Sequence, residues 1–151
     1  MARNVTFPLL LLLGLFAILC PLWAMGPQPP AGFTPVSWFQ KQHILEKPKS
    51  CQAAMNDINQ FLNGLCKRSN TFLHVSLQNV KDVCALKAFQ CRDKSTTCHR
   101  SPAPVQMTVC KIMKDTNSCT YRESHTTEHF TVQCMHRFND PKMELLPVHL
   151  E

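Results

Sequence analysis

The chain has 151 residues, with 16 Lys and Arg against 10 Asp and Glu. That length is expected to give one compact domain and is enough to bury a core. The moderate positive charge favours polyanionic partners: nucleic acid, glycosaminoglycans or anionic membrane surfaces.

The first two dozen residues read as a secretory signal peptide, residues 1–24. Arg3 gives the positive n-region, Phe7 to Leu19 is almost wholly apolar, and Ala24 is a small residue at a plausible cleavage point. The run is shorter than the ~20 residues that a spanning helix needs, and a Pro-rich stretch follows it. The expected mature domain, 25–151, keeps 15 basic and 10 acidic side chains, a net +5. It is expected in the extracellular space. The Asn4 sequon lies in the leader, so no standard N-glycan is expected on the mature chain. Eight cysteines remain: Cys51, Cys66, Cys84, Cys91, Cys98, Cys110, Cys119 and Cys134. An even count in a short secreted chain reads as a disulfide framework. No Cys-x2-Cys pair supports zinc. Spacing alone does not choose among the roughly 105 possible pairings.

Gly26 to Pro35 predicts an irregular arm. Ser37 then caps a short helix that places Val36, Phe39, His43 and Ile44 on one face. A second helix is expected from Cys51 to Leu62, with Met55, Ile58, Phe61 and Leu62 inward. A third is expected from Ser76 to Val83, with Leu77, Val80 and Val83 inward. Val105 to Cys110 and Phe130 to Cys134 alternate as strands do. Helices first and antiparallel strands afterwards argue for an α+β fold.

Three residues carry the chemistry. His43 and His149 can accept and donate a proton near neutral pH, and Lys67 can hold the negative charge that develops between them. Taken singly, each has a plain reading: a core histidine, a surface lysine, a strand-end histidine. Together they lie in three strings: Trp38-Phe39-x-x-Gln42-His43, Cys66-Lys67-x-x-Asn70-Thr71-Phe72 and Pro147-Val148-His149. In this order, among eight cysteines, the strings resemble the pancreatic-type ribonuclease (ribonuclease A) superfamily across nearly the whole mature chain. The 14 residues between Cys134 and His149, with Trp38-Phe39 and Leu150, are most similar to its eosinophil-type branch.

The resemblance implies three short helices packed on a curved antiparallel sheet. It also implies the pairs Cys51–Cys110, Cys66–Cys119, Cys84–Cys134 and Cys91–Cys98. By the same likeness RNA is the partner, cleaved by transphosphorylation with no cofactor and no metal. His43 is then the base, His149 the acid and Lys67 the charge stabiliser. Gln42 and the Leu150 N–H hold a phosphoryl oxygen, Asn70 packs beside the site, and Thr71 reads a pyrimidine. Arg92 contacts phosphate and, with Lys41 and Lys67, forms a cationic track. A monomer is implied, with cytosolic ribonuclease inhibitor as a partner if the protein is internalised. His125 and His129 form at most a weak metal pair without a third ligand.

Five departures stand against the family pattern. Thr97 replaces an asparagine that reads the second base. Glu151 replaces an aspartate beside the acid histidine. Val109 replaces an aspartate that helps the threonine discriminate between pyrimidines. Asn117 and Glu144 replace two prolines. Two other roles stay open: a cationic host-defence protein acting on membranes through its charge, and a receptor ligand with vestigial cleavage, which the changes around His149 support.

Overall fold

The computed structural model describes residues 28–114, 118–137 and 144–151. The expected leader, Asn117 and residues 138–143 of the final hairpin lie outside these.

Helix α1 spans Pro35–His43. It starts earlier than Ser37 because Thr34 is the N-cap and Pro35 occupies the first turn, where its missing N–H costs nothing. Ser37 serves as the third helical residue of a capping box. Its N–H donates to Thr34 Oγ1 at 3.1 Å, and its hydroxyl accepts from the Thr34 N–H at 2.8 Å. Helix α2 spans Cys51–Asn59, capped by Ser50. It stops before Leu62, and the chain turns at Asn63 and Gly64, both with positive φ (52° and 79°). Phe61 therefore lies outside the helix and packs edge-on against Phe33, centroids 5.0 Å apart. Helix α3 spans Leu77–Cys84, with Ser76 as its cap rather than its first residue.

Six strands follow or intervene: β1 Ser69–Leu73, β2 Cys98–Arg100, β3 Val105–Ile112, β4 Tyr121–Glu128, β5 Thr131–His136 and β6 Leu145–Leu150. They form two antiparallel three-stranded sheets, ordered β1-β3-β4 and β2-β5-β6. The fold is α+β. One core gathers Phe39, Leu73, Val80, Met107, Phe130 and Val132 between α1, α3 and both sheets. A second gathers Met55, Ile58, Phe72 and Tyr121 under α2.

Cys51–Cys110, Cys66–Cys119 and Cys84–Cys134 tie residues 59, 53 and 50 positions apart. Each such loop restricts the unfolded chain enough to contribute roughly 3–5 kcal/mol. Cys91–Cys98 spans only 7 positions and shapes the loop that carries Arg92.

Candidate active site

α1 delivers Gln42 and His43 to a cleft. Phe39, one turn back on the same face, is fully buried and anchors the helix. Its ring centroid lies 5.2 Å from that of His43. β1 supplies the opposing groups. Strand alternation buries Asn70 and leaves Thr71 half-exposed on the other face.

The His43 ring is fixed by one bond, Nδ1 to the Thr71 carbonyl at 2.8 Å. A carbonyl only accepts, so Nδ1 carries the proton and the neutral ring turns a lone pair on Nε2 outward. Burial pushes the imidazole down to about 3; the Lys67 and His149 charges push the same way, and the Thr71 bond opposes them. His43 is therefore a neutral base at physiological pH.

Lys67 lies between α2 and β1. Its ammonium donates to Gln42 Oε1 at 2.5 Å and to Asn70 Oδ1 at 2.7 Å. An ammonium has three donors, so one remains for an anion in the cleft. Asn70 Nδ2 donates to the Gln42 carbonyl at 2.7 Å, which locks β1 to the end of α1. Burial lowers Lys67 to about 8, so it stays mostly charged at neutral pH.

Two further residues hold the lysine backbone, and the sequence did not point to them. Asn59 Oδ1 accepts from the Lys67 N–H at 3.0 Å, and Tyr121 donates its hydroxyl to the Lys67 carbonyl at 2.7 Å. Asn59 Nδ2 donates to the same Tyr121 oxygen at 2.8 Å. Tyr121 is the chain's single tyrosine, a composition signal that could have drawn attention to it.

β6 carries His149 opposite Gln133, with the side chain exposed. Its charge reaches both His43 and Asp93. The Glu151 N–H donates to the Thr131 carbonyl at 3.0 Å. Antiparallel alternation then turns the Leu150 N–H away from β5, on the outer edge of β6. Glu151 does not bond His149 among the described residues. Its Oε2 accepts from the Arg92 backbone N–H at 3.1 Å, beside the Cys91–Cys98 disulfide. The Glu151 carboxylate is engaged by that loop instead. The Arg92 side chain is exposed. Lys41 is drawn away from the centre: its ammonium stands 5.8 Å from the Phe61 centroid.

Thr71 pairs across the strands with Val109, which offers it no side-chain hydrogen bond. Thr97 accepts from Gln133 Nε2 at 3.0 Å, as Ser95 does at 3.1 Å. His125 and His129 do not meet. His125 bonds Thr108 and Glu123, and His129 bonds the Ser101 carbonyl.

The depressed His43 carries a stability cost in acid. An unfolded histidine titrates near pH ~6.5, whereas the folded ring resists protonation down to about 3. Between those limits the unfolded chain binds a proton that the folded chain refuses. Stability from this group is present above pH ~6.5 and is lost as pH falls towards 3. The loss should be on the order of 3 kcal/mol, since solvent at the cleft screens part of the effect. Denaturant midpoints at pH 7 and pH 4 should fall further for the wild type than for His43→Gln. Equal losses would contradict the assignment.

A family profile described as pancreatic ribonuclease matches residues 34–151. Ribonuclease K6 of Pongo pygmaeus, of Homo sapiens and of Papio hamadryas are each 40% identical to the chain over 148 residues. Each alignment covers 96% of this chain and 95% of the relative.

Proposed function

The chain belongs to the pancreatic ribonuclease family, and we propose that within it this protein is a secreted, pyrimidine-preferring endoribonuclease. One observation carries the reading: a neutral, oriented His43 faces an ammonium with a donor to spare, held by Gln42 and Asn70. A base beside a preorganised cation suits attack by a ribose 2′-OH on its own phosphate.

In this mechanism His43 Nε2 takes the 2′-OH proton. The oxygen attacks phosphorus in line. Protonated His149 gives a proton to the departing 5′-oxygen. Lys67, the Gln42 amide and the Leu150 N–H hold the phosphoryl oxygens. The products are a 2′,3′-cyclic phosphate and a free 5′-hydroxyl. DNA lacks the nucleophile and does not react. Arg92 offers an outlying phosphate contact. Residues 1–24 direct export and are removed, and the domain acts as a monomer on extracellular RNA. The likeness to the eosinophil-type branch rests on Trp38-Phe39, Leu150 and the long final hairpin. A role at anionic membranes or glycosaminoglycans rests on the net charge alone. Binding by cytosolic ribonuclease inhibitor would follow internalisation.

Two expected results arise here. Cleavage should be much faster 3′ of uracil or cytosine than 3′ of a purine, with Thr71 reading the base. Val109 leaves Thr71 without the carboxylate that would favour one pyrimidine, so poly(U) and poly(C) should be cut at rates within about threefold of each other. Poly(A) cut as fast as poly(U) would sink the role of Thr71. Secondly, EDTA should leave the rate unchanged, because two imidazoles and an ammonium supply the whole mechanism. A rate abolished by EDTA and restored by one divalent ion would overturn it. The direct test of function is tRNA or poly(U) cleavage by wild type beside His43→Ala.

A further inference from the structure

A chain of hydrogen bonds runs through the β1-β3-β4 sheet, apart from the cleft. It starts at the Leu45 carbonyl, two residues beyond His43, which lies 2.7 Å from His74 Nδ1. His74 Nε2 is 2.7 Å from Thr108 Oγ1. The same hydroxyl oxygen is 3.1 Å from His125 Nδ1. His125 Nε2 is 3.0 Å from Glu123 Oε1, and Glu123 Oε2 accepts from the Cys51 N–H at 2.8 Å. Both ends of the chain therefore grip one segment, Leu45 to Cys51, which joins the helix carrying Gln42 and His43 to α2.

The ends fix the protons. A carbonyl requires Nδ1–H on His74, and a carboxylate requires Nε2–H on His125. Thr108 is 1% exposed, and its hydroxyl has one hydrogen to place between two ring nitrogens. With both rings neutral, two lone pairs face that hydroxyl and only one can be satisfied. With both rings charged, two N–H groups point at the oxygen, and its hydrogen has no acceptor in the chain. With a single added proton every link is made, in either of two directions. In one, His125 Nδ1–H donates to Thr108 and the hydroxyl donates to His74. In the other, the proton has passed from His125 to Thr108 Oγ1, while the hydroxyl's own proton has passed to His74 Nε2.

We infer that His74 and His125 share one proton through Thr108, and that this proton makes a pH-sensitive clamp on the segment following the His43 helix. His125 is the port to solvent, with 65% of its side chain exposed. The facing charged group on β4 is Glu123. From the joining segment Pro48, from β3 Gln106 and Met107, and from β4 Thr126 and Thr127 line the adjoining cleft of about 450 Å³, and none of them titrates. Lys49 of the segment is turned to Asp57 instead. Loss of the shared proton as pH rises breaks one link at Thr108 and slackens the tie between Leu45 and Glu123.

Neither readout of the test involves RNA, so it stands or falls separately from the proposed cleavage. The imidazole resonances of the disulfide-bonded protein are followed by NMR over roughly pH 5–9, with amide exchange at Cys51. In the wild type, the His74 and His125 signals should move together, sharing both midpoints of two coupled steps. Exchange at Cys51 should quicken about tenfold above the upper midpoint, where the shared proton is lost. Thr108→Val should split the curves into two independent titrations, and Thr108→Ser should restore the coupling. If Thr108→Val does not fold, His125→Ala removes an exposed ring and should leave His74 with a single step. Separate midpoints in the wild type, or Cys51 exchange indifferent to them, would overturn the proposal.

Discussion

Replacing His149 with alanine should lower kcat/KM on a uridine dinucleotide by about 10²–10⁴ while the fold stays intact. The side chain is exposed on β6 and belongs to neither core, so its loss leaves the packing alone. Asp93 does not replace it as the acid. Asp93 is close enough to feel its charge, but the Ser95 hydrogen bonds hold that carboxyl below its usual range and keep it ionised. A substrate whose leaving group needs no proton separates the acid role from a binding role. Uridine 3′-phosphate carrying a p-nitrophenyl ester should lose far less rate in His149→Ala than the dinucleotide does. Equal losses on both substrates would remove His149 from proton donation.

Lys67→Arg should cost about 10²-fold in kcat, although it conserves the charge. The pocket is built for a point cation: Gln42 Oε1 at 2.5 Å and Asn70 Oδ1 at 2.7 Å converge on one nitrogen. A planar guanidinium would need to spread those acceptors, and Asn70 cannot retreat because it is buried and bonded to the Gln42 carbonyl. The pH profile gives a second signature. Lys67 loses its proton as pH rises through about 8, so the wild-type rate should fall there for want of the cation. Arginine does not deprotonate in that range, and the variant should be slow but lack that part of the alkaline fall. A variant as fast as wild type would contradict the role of the ammonium.

The positions of the three helices were legible because hydrophobic spacing is a local signal, whereas the Ser50 and Ser76 caps emerged only from the structure. The start of α1 was not read correctly. Proline at 35 looks like part of an irregular arm until Thr34 and Ser37 are seen to close a capping box around it. The end of α2 was overrun because Phe61 and Leu62 continue the apolar period, while Asn63 and Gly64 stop the helix only after it has already loosened.

At the site, local strings single out His43, Lys67 and Asn70, but not what fixes them. Asn59 and Tyr121 are 8 and 54 positions from Lys67, and only the fold brings them to its backbone. Glu151 was expected beside His149; its side chain reaches the Arg92 amide, 59 positions away. The chain from Leu45 to Glu123 was likewise invisible. It joins Leu45, His74 just beyond β1, and residues of β3 and β4, and His125 read from sequence as half of a weak metal pair.

The central claim is proton-coupled transphosphorylation by His43, Lys67 and His149. Its most direct test is ³¹P NMR of uridylyl-3′,5′-adenosine incubated with the disulfide-bonded protein in EDTA, beside the His149→Ala variant. The account predicts that the wild type converts the phosphodiester resonance into that of a 2′,3′-cyclic phosphate, and that the variant does so at least about 100-fold more slowly. A correctly folded wild type that yields no cyclic phosphate above the variant would contradict it.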